Sequence, residues 1–369
     1  MDLTESKGFQ IKIISGDLIR IFRVSDTMDD VVLLNGNVVR PGGYQVTKNM
    51  RVSDLIPSAI DLRPKSDMNF ALIRRENRSK RRVIVRYVNL SEAIENPGSK
   101  ADLILKPRDE LIVFSLSEKR AQKLEQIVRD LKVQATQNYP PMILEINGHV
   151  RYSGTFPLEK NARLLDIMQA SGGILQGCDL KYSLITRRNS PGNQITIFPI
   201  SLELALKNPS SENNPVIHSE DKIYIFNNSK LSRTNLIQKD LKKLHEQTKY
   251  GELTQVVFID GWVKYPGQYP RIPAMRISDL ILAAGGLKEN TYGIGAEITR
   301  YEVIENEYRA AQHLFVDLNK IRKNDKKSDL LLKSYDHLRL NQKPQWEKEA
   351  VVELKGEVVF PGKYQLKGG

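Results

Sequence analysis

The chain has a single cysteine, Cys178, in 369 residues, which excludes an internal disulfide and a cysteine-built metal site. Cys178 reads as a small residue near a loop rather than a nucleophile. No stretch approaches the roughly 18 apolar residues that a membrane-crossing helix needs. Met1-Asp2-Leu3-Thr4-Glu5 lacks a basic start followed by an apolar core, so no signal peptide is read there. Histidine is scarce, and none of His149, His218, His245, His313 and His337 falls in an H-E-x-x-H or His/Cys pattern at metal spacing. There is no Walker A sequence and no G-x-S-x-G elbow. Gly293-Ile-Gly295 has Ile298 where a third glycine belongs, so it reads as a loop. Adjacent acids such as Asp29-Asp30 are ordinary surface residues and do not make a glycosidase pair. These absences point away from an enzyme, and no metal or cofactor is expected.

What is abundant is positive charge. The net charge of +12 favours an acidic partner: nucleic acid, anionic lipid or an acidic polymer. A merely solvated basic surface is the plain alternative. The densest basic run is Arg74-Arg75-Glu76-Asn77-Arg78-Ser79-Lys80-Arg81-Arg82. It reads as a hairpin tip, with Arg74, Arg78, Lys80, Arg81 and Arg82 available to phosphate or to an acidic sugar polymer. No aromatics are interleaved, so base stacking is not suggested.

The chain also repeats itself. Val31-Val-Leu-Leu-Asn-Gly36 returns as Ile143-Leu-Glu-Ile-Asn-Gly148, Val256-Val-Phe-Ile-Asp-Gly261 and Val351-Val-Glu-Leu-Lys-Gly356. Counted from those glycines, Pro41, Ser153, Pro266 and Pro361 fall at one distance. Gly42, Gly154, Gly267 and Gly362 fall at the next, and Tyr44, Phe156, Tyr269 and Tyr364 shortly after. Arg51, Arg163 and Arg276 share a position, as do Asp54, Asp166 and Asp279, and again Arg75, Arg187 and Arg300. Each unit closes on an Asp-led apolar run: Asp109–Phe114, Asp221–Phe226 and Asp336–Asn341. Asp17–Phe22 matches the same run without a beginning, and the hairpin near Gly356 is a beginning without an end. Both ends cut through the pattern, so the chain reads as a fragment of a longer protein.

Each unit reads as follows. A strand with glycine in its middle turns at Pro-Gly, and the aromatic opens the return strand. A helix starts at Ser278 or Asp279 in the third copy and ends at a glycine pair, Gly172-Gly173 or Gly285-Gly286. In the first copy Pro57 predicts a shorter helix. Further strands follow, one carrying the repeated arginine. The shared Asp54, Asp166 and Asp279 are expected to steady helix starts. Arg75, Arg187 and Arg300 are expected to pair with acids across the sheet. Between units, Leu124, Ile127, Val128 and Leu131, and later Leu236, Ile237, Leu241 and Leu244, fall at helical spacing. These stripes are expected to dock on their own unit.

The Gly-x-Val-x-x-Pro-Gly-x-Tyr hairpin at Gly36–Tyr44, Gly261–Tyr269 and Gly356–Tyr364 comes with the Asp-Leu-Ile helix, the Ala-Gly-Gly cap and the arginine strand. It resembles the SLBB module, a soluble-ligand-binding β-grasp domain. Tandem copies with helical linkers are similar to the Wza-type polysaccharide export family of Gram-negative bacteria. The resemblance implies an α+β tandem array of β-grasp-like modules: a closing strand in 1–27, modules at 28–115, 140–228 and 253–341, helical linkers at 116–139 and 229–252, and a fourth start in 342–369. It implies a periplasmic, outer-membrane-associated homo-oligomer that passes capsule or exopolysaccharide. The partners it implies are the polymer and an inner-membrane chain-length regulator or autokinase, not nucleic acid. The family's N-terminal export domain, lipid-anchor cysteine and C-terminal membrane helix are absent from this sequence. A basic nucleic-acid-binding array and a protein scaffold remain as rival readings.

Overall fold

The computed structural model describes residues 30–77, 79, 81–189, 194–228, 233–248, 254–304, 308–344 and 351–365. The expected closing strand at Asp17–Phe22 lies outside them, as do Arg78 and Lys80.

The first unit runs β1 (Val31–Gly36), β2 (Gly42–Gln45), α1 (Val52–Leu55), β3 (Ser66–Asn77), β4 (Arg82–Val88), α2 (Leu90–Glu95) and β5 (Glu110–Ser115). The strands lie in the order β2-β1-β5-β3-β4, with β1 and β5 parallel and the other pairs antiparallel. This is the β-grasp arrangement. A linker helix, α3 (Arg120–Val133), follows. The second unit repeats the pattern: β6 (Ile143–Gly148), β7 (Gly154–Pro157), α4 (Leu164–Ala170), β8 (Cys178–Arg188), β9 (Ile195–Ile200), α5 (Leu202–Lys207) and β10 (Lys222–Asn227). After α6 (Arg233–Glu246) comes the third: β11 (Val256–Gly261), β12 (Gly267–Pro270), α7 (Ile277–Ala283), β13 (Thr291–Ile304), β14 (Tyr308–Val316), α8 (Leu318–Arg322) and β15 (His337–Gln342). Their sheet orders, β7-β6-β10-β8-β9 and β12-β11-β15-β13-β14, match the first strand for strand. A further hairpin, β16 (Val351–Leu354) with β17 (Gly362–Gln365), repeats the opening hairpin of the units. The molecule is therefore a tandem array of SLBB-like α+β modules.

Three local readings are corrected. Gly36, Gly148 and Gly261 end their strands rather than sit inside them. A Cβ at any of the three would lie 2.0 Å from a carbonyl oxygen of the parallel closing strand, on Val113, Ile225 and Leu340. With φ of +95°, +103° and +80°, these positions hold glycine for close backbone approach as well as conformation. Next, Gly42, Gly154 and Gly267 open the return strand, so the turn precedes them. Finally, the helix N-caps are Arg51, Arg163 and Arg276, not Ser278 or Asp279. Asp54, Asp166 and Asp279 stand three residues on and accept the N-cap backbone N–H at 2.8, 2.7 and 2.8 Å. A carboxylate there satisfies an orphan donor and faces the positive end of the helix dipole. Pro57 does follow a helix of only four residues, α1.

Each sheet buries one face against its own helices. In the first unit that core is Val32, Leu34, Ile73, Leu111 and Val113 under Val52, Leu55 and Leu90. The outer faces of the first two sheets are buried as well. Phe70, Leu72, Val85 and Phe114 join Leu124, Ile127, Val128 and Leu131 of α3 and the core of the second unit in one cluster. Tyr182, Leu184, Ile197 and Phe226 join Ile237, Leu241 and Leu244 of α6 and the third core in another. The linker stripes thus pack between two units, not on one alone. Fused cores of this kind are how small repeats gain stability from their neighbours.

Candidate functional site at the joints between units

The repeated arginines Arg75, Arg187 and Arg300 lie on β3, β8 and β13. Each grips the fully buried aspartate that leads the closing strand: Arg75 Nη2 to Asp109 at 2.6 Å, Arg187 to Asp221 at 2.7 Å, Arg300 to Asp336 at 2.6 Å. The same guanidiniums donate to the carbonyls of Ile104, Val216 and Leu331. All three pairs hold their units closed.

The repeated aromatics sit on β2, β7, β12 and β17. Phe156 and Tyr269 are fully buried, Tyr44 is half-buried and Tyr364 exposed. The two buried ones belong to the hairpins that α3 and α6 cover. The hydroxyls of Tyr44, Tyr269 and Tyr364 each donate to a carbonyl four residues back, on Arg40, Tyr265 and Phe360. Pro41, Pro266 and Pro361 precede the return strands, in the turns that open each hairpin.

Between units, two arginines absent from the sequence-based expectations act as clamps. Arg120 opens α3 and Arg233 opens α6, and both are buried. Arg120 Nη2 donates to Asp67 of the first unit, while its Nη1 donates to Ala170 O of the second at 2.6 Å. Arg233 donates to Asp179 of the second unit and to Ala283 O of the third at 2.9 Å. Ala170 and Ala283 end α4 and α7, so each cation also meets the negative end of the next unit's helix. Three rings surround each guanidinium: Phe70, Phe114 and Tyr152 at the first joint, Tyr182, Phe226 and Tyr265 at the second. Cys178 adjoins Asp179. Burial and that neighbouring carboxylate push its thiol up to about 11, so it is a poor nucleophile near neutral pH.

A second contact repeats too. Gln134 accepts from Val83 N at 2.8 Å and donates to Val83 O at 2.7 Å, pinning the edge strand β4. Gln247 does the same to Ile195 of β9, at 2.7 and 3.0 Å.

The joints differ in what lines them. Beside Gln134 lies a cleft of about 660 Å³ with Tyr139, Pro140, Met142 and Leu158 in its wall. Arg82 enters it with its guanidinium 3.6 Å from the centre of the Tyr139 ring. Among the described residues Arg82 has no ionic partner. Lys160 on the rim is exposed and likewise unpaired. Arg86 is different: Glu159 holds its Nε at 2.5 Å while taking Tyr87 N at 2.7 Å. Desolvation raises the pKa of Glu159, and these two donors oppose the rise. In the second joint the strand register puts Gln194 opposite the place of Arg82 and Phe198 at that of Arg86. Pro273 stands where Lys160 stands.

The predicted basic tip is therefore divided. Arg74 turns to the linker helix and pairs with Asp130 at 3.1 Å. Arg81 is exposed in the turn, and Arg82 alone of the described members enters the cleft. Two signals could have separated them: Arg82 is the first residue of its strand, and Tyr139 sits just before the second unit.

Among the described residues, no group of three or more His, Cys, Asp or Glu side chains could hold a metal ion, and no helix is long and apolar enough to cross a membrane. No curated protein matches the chain. Two segments, residues 31–59 and 256–300, match the SLBB domain. These are the opening hairpin and helix of the first unit, and the same elements of the third extended to Arg300.

Proposed function

We propose that this protein is the periplasmic part of a capsule or exopolysaccharide export apparatus, a non-enzymatic component that guides polymer toward the outer membrane. SLBB domains are characteristic of polysaccharide export proteins and belong to binding and transport proteins rather than enzymes. The observation that carries the reading is the locked stack. Buried clamps at Arg120 and Arg233 join successive modules through continuous cores, so the array behaves as a stiff element suited to the wall of a conduit. Guidance is passive: charge, hydrogen bonding and shape act on the polymer, and no bond is made or broken. In this reading the full-length protein forms a homo-oligomer and meets an inner-membrane chain-length regulator or autokinase.

The test is the native mass of the full-length protein in detergent, together with surface polysaccharide in a deletion strain. A ring-sized oligomer and loss of surface polymer are expected. A strictly monomeric protein with normal surface polymer in the deletion strain overturns the proposal.

A further inference from the structure

We propose that the cleft between the first and second units is a binding site for a carboxylated sugar residue, an assignment that rests on the export reading and narrows it to an acidic polymer. The first argument comes from the repeat. Both joints use the same clamp, the same edge-pinning glutamine and the same kind of fused core. The second joint holds with Gln194, Phe198 and Pro273 where the first has Arg82, Arg86 and Lys160. Among the described residues Arg82 and Lys160, unlike Arg86 with its ion pair to Glu159, therefore make no ionic contact that keeps the two modules together.

The second argument is chemical. The Tyr139 ring lies 3.6 Å from the Arg82 guanidinium and steadies it, and among the described residues its N–H groups have no side-chain partner. A planar fork held in this way is pre-organised for the two oxygens of a carboxylate. Lys160 adds a second cation on the rim, without an ionic partner among the described residues. Glu159 does not cancel them, because both its oxygens are engaged by Arg86 and Tyr87. The wall of Pro140, Met142 and Leu158 is apolar and suits the C–H face of a pyranose, and Asn161 offers an amide to hydroxyls. A volume of about 660 Å³ admits a short stretch of polymer. Tyr139 is the only aromatic ring among the described residues of the lining and Arg82 covers one of its faces, which disfavours stacked nucleobases.

Calorimetric titration of the 369-residue chain with a short oligogalacturonate, a neutral malto-oligosaccharide of equal length and a single-stranded DNA oligomer tests the site. The acidic sugar is expected to bind at least about tenfold more tightly than the neutral one, the size of one charge-assisted contact. Arg82→Ala and, independently, Lys160→Glu are expected to remove most of that advantage. Lys160 is exposed, so the second variant keeps the test alive if the first folds poorly. Arg188→Ala, which alters an exposed arginine paired with Glu220 outside the cleft, is expected to change nothing. Equal binding of acidic and neutral sugars, equal loss in Arg188→Ala, or tighter binding of DNA than of galacturonate would each overturn the site. The two proposals fail separately. Lost surface polymer in the deletion strain without galacturonate binding removes only the site. Cleft binding with polymer export intact removes the export role.

Discussion

The joint between the first and second units and the joint between the second and third are built on one plan and finished differently. In both, an arginine from the linker helix reaches an aspartate behind it and a helix end ahead of it. Around that clamp the chemistry diverges. Ile127 packs in the apolar interior of the first joint. In the second, fully buried Asp240 takes the hydroxyl of Tyr224 at 2.8 Å and Lys222 at 3.1 Å. Arg82 and Lys160 line the first cleft and have no counterpart in the second. The recurring clamp and glutamine pin hold both joints, whereas Arg82 and Lys160 neither recur nor take an ionic partner among the described residues.

The third unit extends the contrast. Along β3 and β8 consecutive residues are buried, as Phe70 to Ile73 and Tyr182 to Thr186 show. Along β13 burial alternates: Ala296 and Ile298 are buried, while Glu297 between them and Thr299 after them are not. Beside them Phe315 of β14 is 84% exposed. Tyr292 stands where Asp67 and Asp179 stand, relative to the sheet arginine. Among the described residues, that face offers no aspartate at the clamp position and a more polar lining than the first two.

Removing a clamp should have the largest effect. Arg120→Ala leaves Asp67 buried without a counter-charge, and Arg233→Ala does the same to Asp179. Each is expected to cost about 3–5 kcal/mol, as for a broken buried pair, measured by denaturant unfolding. Replacing both partners by apolar residues should cost much less. If one arginine proved dispensable and the other not, the two joints would not share a plan after all. Cys178 gives a local readout at the second joint. With its thiol pushed up to about 11, almost none is thiolate at pH 8, so alkylation of the native protein should be slow. It should quicken as pH rises toward that value, and quicken at constant pH in Arg233→Ala.

The glycines come next. Gly148→Ala and Gly261→Ala combine a left-handed backbone with a Cβ placed 2.0 Å from a carbonyl oxygen. A loss of about 2–4 kcal/mol is expected, above the usual conformational cost. Gly356 has the same sign of φ, but among the described residues no heavy atom lies within 4 Å of where a Cβ would stand. Gly356→Ala should therefore show the conformational cost alone, about 1 kcal/mol. Thermal melts of the three variants give the comparison directly. The edge-pinning glutamines should cost less than the two clashing glycines. Gln134→Ala and Gln247→Ala each strip a partner from a strand edge, worth about 1–2 kcal/mol. Faster hydrogen exchange at Val83 and Ile195 respectively would confirm that the two act alike.

The repeat was legible because each unit must reuse the residues that close it. Glycine fits a backbone contact that no other residue tolerates, and one buried Asp needs one Arg. Periodicity also exposed the linker stripes, but a stripe shows only that a helix has a partner. It does not say that the partner is two units at once. The clamps were missed because each draws its contacts from three places far apart in sequence, Asp67, Arg120 and Ala170 at the first joint. They could have been found by noticing that Arg120 and Arg233 follow Phe114 and Phe226 at nearly the same distance. The basic run was read as one tip because charge looks alike along a chain. Strand geometry separates Arg74, which faces the linker helix, from Arg82, which enters the cleft.

The smallest expected change bears most directly on the division between holding and binding. Arg82→Gln installs at the first joint the residue type that the second joint carries at Gln194. Its stability cost should be limited to the lost contact with Tyr139, about 0.5–1 kcal/mol for a partly exposed cation on a ring. The clamp at Arg120 and the pin at Gln134 are untouched, so unfolding should stay as cooperative as in the parent chain. A loss of several kcal/mol would mean that Arg82 helps hold the units together, and the cleft could no longer be separated from the joint. A loss within the expected range leaves Arg82 as a cation kept by something other than the fold.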